Sequence, residues 1–183
     1  MEKCVKELFA QYKNLENAIA SNFSEYLKTD EGQTLLLMAM ESMVKTHKAE
    51  KLQNISKTLI GVANAKIKYE TKEYILKIST ELEPFDVIVL KRVYNSKTDY
   101  NAIKSYEDFY IDIVDKNEIS KDEFYFIAKK LTDLSLLRIS SVLDGFNDTY
   151  STQYIVTHRS EEEKKPKIVV TQLGENILYY FKV

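Results

Sequence analysis

Over residues 2–134 apolar side chains recur at spacings of three and four, and this periodicity limits the chain to a mainly helical fold more firmly than any motif in it. With four glycines and two prolines among 183 residues, little interrupts the pattern. From Glu2 to Lys28 the positions Val5, Leu8, Tyr12, Leu15, Ile19, Asn22 and Tyr26 form a heptad seam in which only Asn22 is polar. Phe9, Phe23 and Leu27 widen the stripe. The spacing predicts one long helix that either packs in its own bundle or pairs with a second copy of the chain, Asn22 then fixing the register of a homodimer.

Further helices are expected over 31–46, 49–66 and 71–82. Thr29-Asp30-Glu31-Gly32 marks the restart of the first. The next carries Leu52, Ile55, Leu59 and Val62 on one face, leaving Lys51, Asn54 and Lys57 outside, and Gly61 weakens its end. The third offers Tyr74, Ile75, Ile78 and Leu82 and must stop before Pro84, because the residue preceding a proline is pushed out of the helical region. Pro84 suits the first turn of a new helix, and a domain boundary is expected there, dividing 1–83 from 84–183.

In the second domain helices are expected over 84–94 and 100–114, the latter with Ile103, Tyr106, Tyr110 and Ile113 inward. Ser120 and Glu123 form a capping box that opens a third, to 134. Phe124, Ile127, Ala128, Leu131 and Leu134 share its inner face; Asp122, Tyr125, Phe126, Lys129 and Asp133 share its outer one. A strand over Leu136 to Val142 follows, then turn chemistry at Asp144-Gly145 and Asn147-Asp148. Gln153 to His158 and Lys167 to Thr171 read as the arms of a hairpin tipped by Glu161-Glu162-Glu163-Lys164-Lys165-Pro166, and Thr171-Gln172-Leu173-Gly174 opens a last helix. That gives about seven helices before residue 135, one after Thr171, and a sheet confined to 136–171.

Helix, strand, polar hairpin, strand, helix is the order of a winged helix-turn-helix. The run Leu131-Thr132-Asp133-Leu134-Ser135-Leu136-Leu137-Arg138-Ile139, with Val170-Thr171-Gln172-Leu173-Gly174, resembles the closing half of many bacterial winged-helix domains. In place of the glycine usual before the strand this chain has Ser135. The helical first region ending in Leu82-Glu83-Pro84-Phe85-Asp86 is similar, more faintly, to the Abi-alpha family linked with phage defence, in which helices precede a winged-helix-like end. These resemblances imply an N-terminal helical bundle, a winged helix-turn-helix with a small antiparallel β-wing, and no catalytic residues.

Little in the chain points to chemistry. The four glycines are scattered, which excludes glycine-rich phosphate loops. His47 and His158 stand far apart with no second ligand at zinc spacing. Cys4 has no histidine near it, and Asp108, Asp112 and Asp115 read as a solvated helical stripe. A non-enzyme without cofactor or metal is therefore expected. The longest apolar run, Leu35 to Met40, falls far short of the roughly 20 residues of a membrane span. A lone cysteine and the lack of a signal-type segment suggest the cytoplasm.

Charge separates the remaining partners. Lys and Arg total 26 against 28 Asp and Glu, near balance on either side of Pro84, and the pI is about 5.8. Dedicated nucleic-acid modules often exceed a pI of about 9. A protein partner is favoured, met by Tyr125, Phe126, Lys129 and Asp133. The alternative is a dimeric DNA-binding regulator, whose phosphate contacts would come from Lys121, Lys129, Lys130, Arg159, Lys164, Lys165 and Lys167.

Overall fold

A computed structural model describes residues 2–96, 119–140 and 167–181. Its helices are α1 (Glu2–Lys13), α2 (Asn17–Tyr26), α3 (Asp30–Val44), α4 (Ala49–Asn64), α5 (Tyr69–Glu81), α6 (Pro84–Ser96), α7 (Lys121–Asp133) and α8 (Gln172–Tyr180). Strands β1 (Leu137–Ser140) and β2 (Lys167–Val170) pair antiparallel, Leu137 opposite Val170 and Ser140 opposite Lys167. The fold is mainly helical with this small two-stranded sheet. The helix expected over 100–114 and the hairpin arm Gln153 to His158 lie outside the described residues.

Two compact units make up the chain, one formed by Met1–Pro84 with Asn176–Val183 and the other by Phe85–Glu175. One boundary between the units falls after Pro84 and the other after Glu175.

In the first unit α4 is the central helix, packed against α1, α2, α3 and α5. Its residues from Thr58 to Ala63 are all buried, the signature of a helix surrounded by others. Tyr180 of α8 explains Gly61, since a Cβ there would lie 2.6 Å from the tyrosine ring. Lys57 is half-buried, its ammonium donating to the Phe181 carbonyl at 3.4 Å. On α5, Lys72 is buried where Tyr74 was expected, and Tyr74 is exposed. The Lys72 ammonium sits 4.1 Å above the Tyr26 ring, a cation–π contact, and burial lowers its pKa.

The single helix expected from Glu2 to Lys28 is two. The N–H groups of Asn14 and Leu15 bond three residues back, to Gln11 and Tyr12, and Glu16, with φ −60° and ψ 146°, restarts the chain as α2. Twelve residues of unbroken helix would hold Tyr12 and Ser24 about 18 Å apart. Their hydroxyls are 3.0 Å apart, so the chain doubles back, and the Tyr12 and Phe23 rings meet at 6.2 Å. Cys4 and Phe23 are the buried residues of this hairpin. The seam therefore does not line one continuous helix. Val5 and Asn22 are exposed, while Leu8, Tyr12, Leu15, Ile19 and Tyr26 are half-buried within the unit.

In the second unit α7 begins with the expected capping box. The Ser120 hydroxyl accepts from Glu123 N–H, and the Glu123 carboxylate accepts from Ser120 N–H at 2.8 Å. The helix ends in a Schellman motif, with Leu136 N–H on the Leu131 carbonyl and Ser135 N–H on that of Thr132, both at 2.8 Å. Leu131 and Leu136 are fully buried. Ser135 carries the left-handed residue of this motif, φ 59°, so the serine occupies the conformation in which glycine is common. Ser135→Gly should raise the unfolding free energy by roughly 0.5–1 kcal/mol, since a side chain in the left-handed region costs about 1–2 kcal/mol and glycine's greater freedom when unfolded returns part of that. Urea titration reads this directly, and a destabilised glycine variant would contradict the strain.

Thr171 joins the two ends of this segment. Its N–H donates to the Leu136 carbonyl at 3.0 Å and its hydroxyl to that of Ser135 at 2.6 Å. The same hydroxyl accepts from Gly174 N–H at 3.1 Å, capping α8 one residue after β2 ends.

Candidate protein-binding surface

Helix α7 turns Phe124, Ala128 and Leu131 into the core of its unit. Ile127 and Leu134, expected on that face, are half-buried. Between the buried positions the helix must present something to the outside, and what it presents is aromatic. Phe126 is 71% exposed, the largest value among the exposed large hydrophobic residues that are described. Tyr125 beside it is half-buried, its ring centroid 6.0 Å from that of Phe124.

The charged groups of the same helix are engaged close to home. Lys129 pairs with Asp133 one turn on at 2.8 Å, both exposed. Lys121 places its ammonium 5.6 Å from the Tyr125 ring centre. Lys130 reaches Asp86 at the start of α6, a partner 44 residues away whose side chain is 4% exposed. A lysine that neutralises a buried carboxylate is held by its own fold, so Lys130 has a structural role in this unit.

Of the other residues expected to meet phosphate, Lys167 opens β2, while Arg159, Lys164 and Lys165 lie outside the described residues. The structure thus brings Tyr125, Phe126, Lys129 and Asp133 together on one exposed helix and does not bring the seven basic residues into one described surface. Sequence reasoning missed Asp86 altogether. An aspartate in a first turn reads as a dipole-favourable surface residue, and only its spacing from apolar Val87, Val89 and Leu90, all buried, hints that it faces inward.

Among the described residues no three His, Cys, Asp or Glu side chains gather as a metal site. Cys4 is buried, and His158 and the Asp108, Asp112, Asp115 stripe lie outside the described residues. No described helix is long and apolar enough to cross a membrane. No family model, curated protein or solved structure matches the chain.

Proposed function

We propose that this chain is a non-catalytic regulatory or assembly protein whose second unit is a winged-helix-like module that docks on another protein through the outer face of α7. The observation that carries the reading is Phe126, exposed on a rigid capped helix with Tyr125 beside it and flanked by the Lys129–Asp133 pair. Large aromatic side chains concentrate interface energy, and a rigid helix holds them in place without ordering cost. The order α7, β1, β2, α8, with Thr171 tying the end of α7 to the start of α8, supports the winged-helix assignment. A role in phage defence or mobile-element biology rests on the Abi-alpha resemblance alone. Homodimerisation through the heptad seam loses its geometric basis with the break at 14–16; self-association would use Val5 and Phe9, which α1 leaves exposed.

The test is co-purification from native cells, with DNA and protein scored separately. Tyr125→Ala with Phe126→Ala should lower recovery of the protein partner by well over tenfold, since each such anchor contributes about 2 kcal/mol or more, while the circular dichroism spectrum stays unchanged. DNA binding is the second reading, favoured by the helix–strand–strand–helix order. It would show as retention of duplex DNA that falls with salt by about 0.9 logarithmic units per phosphate contact and disappears with Lys164→Glu and Lys165→Glu. Partner capture untouched by the aromatic substitutions would remove α7 from the interface.

A further inference from the structure

The end of α3, the loop to α4 and the end of α5 with the residues after it line an open pocket of about 580 Å³ in the first unit. Its polar lining is rich in donors. Lys45, Lys48 and Lys51 contribute three ammonium groups, and Ser42, Thr46 and Thr80 contribute hydroxyls. Glu83 is the single carboxylate, which leaves an excess of two positive charges. A fourth ammonium, that of Lys3, reaches the loop by donating to the His47 carbonyl at 3.0 Å.

Glu83 shows how the site holds an anion. Lys48 donates to one carboxylate oxygen at 2.7 Å and Lys51 to the other at 2.6 Å, and this pair of bonds holds its carboxyl down at about 2. The carboxylate is therefore ionised throughout the neutral range. Lys51, with its side chain 12% exposed, is fixed in place by packing, so one wall of the anion seat exists before any ligand arrives. Lys48 is also the residue preceding α4 and makes no side-chain cap there, so the positive end of the α4 dipole adds to the same field. Lys45, across the loop, has no ion pair among the described residues.

We propose that this cavity binds a small phosphate monoester, with Lys45, Lys48 and Lys51 seating the phosphate and Glu83 as the internal anion that competes with it. A phosphate monoester carries about 1.5–2 negative charges and three acceptor oxygens, which matches the excess charge and the abundance of donors. A volume of about 580 Å³ falls within the roughly 300–1,000 Å³ range of small-molecule sites, large enough for a sugar-sized group behind the phosphate. The site is independent of the α7 surface, so either can fail without the other.

The experiment is an amide NMR titration of the full chain with glucose 6-phosphate, inorganic phosphate and glucose, at ionic strength held constant with sodium chloride. Glucose 6-phosphate should shift residues 42–52 and 80–83 saturably and glucose should not. Lys45→Ala with Lys48→Ala should weaken binding by about tenfold or more, the usual scale for losing charge-assisted bonds to an oxyanion. Glu83→Gln removes the competing charge and should tighten binding by roughly tenfold. Should that variant fail to fold, the lysine pair carries the test alone. Shifts that do not saturate, that arise outside these residues, or that survive loss of both lysines would overturn the proposal. So would weaker binding by a folded Glu83→Gln chain, or saturation by inorganic phosphate alone.

Discussion

Replacing Lys130 by methionine should lower the unfolding free energy by about 3 kcal/mol, although the lysine is on a surface helix. Removing one member of a buried ion pair typically costs about 3–5 kcal/mol because the other charge stays desolvated. The Asp86 side chain is 4% exposed and that of Lys130 is 27% exposed, which places the expectation at the lower end of that range. Methionine keeps most of the aliphatic stem, so lost packing contributes little. Adding Asp86→Asn to Lys130→Met should recover more than half of the loss, and the double-mutant cycle from urea unfolding gives the coupling. A single-variant loss below about 1 kcal/mol would mean that the pair behaves as a surface ion pair. The same variants bear on DNA binding, because a Lys130 held by Asp86 should leave any DNA affinity unchanged when it is lost from a protein that still folds.

Gly32→Ala and Gly174→Ala should each destabilise by about 2–3 kcal/mol, the scale of overpacking that neighbours cannot relieve. The sign is the informative part, because alanine inside a helix is ordinarily better than glycine by about 1 kcal/mol. Both glycines close a threonine cap. Thr29 accepts from Gly32 N–H and Thr171 accepts from Gly174 N–H, each at 3.1 Å. At each a Cβ would meet main-chain oxygen, at 2.0 Å from the carbonyl of Tyr26 in the chain entering α3 and at 2.4 Å from that of Leu136 in the turn after α7. Backbone cannot step aside as a side chain does. Gly61→Ala is the internal comparison, since its obstacle is the Tyr180 ring, and it should cost less. In a chain of this size each of the first two substitutions should lower the melting temperature by about 5–10 °C, and neutral melts for both would show that the caps accommodate a methyl group.

What the sequence disclosed about this fold was local. The caps at Thr29, Ser120 and Thr171 are readable because the groups that satisfy one another stand within three residues, and the break at Pro84 is readable because a proline acts on its immediate neighbour. The heptad seam misled for the opposite reason. Asn14, Leu15 and Glu16 include neither proline nor glycine, and the seam passes through Leu15 in register. The reversal comes from contacts twelve or so residues apart, Tyr12 with Ser24 and Phe23, which a periodic pattern does not encode. Lys72 shows the same limit at a single position, because a lysine can lie inside the bundle only if a particular ring, that of Tyr26, is there to receive it.

The candidate surfaces divide along the same line. Tyr125 and Phe126 were legible as the outer face of an amphipathic helix. The Lys130–Asp86 pair spans 44 residues, and the cavity at Lys45 collects residues from 42 to 83. Neither has a spacing to recognise, and Glu83 in particular reads only as the residue a following proline forces out of a helix.

The division of α8 between the two units governs the order in which the chain can fold as it is made. Residues 85–175 cluster as one compact unit, whereas the unit that includes residues 1–84 lacks Ile177, Leu178, Tyr180 and Phe181, all buried, until these residues have been added. Residues 1–84 thus acquire their whole core only after residues 85–175 have been made. Until then Gly61 lacks the Tyr180 ring that packs on it, and apolar surface left open in a partly folded chain favours association.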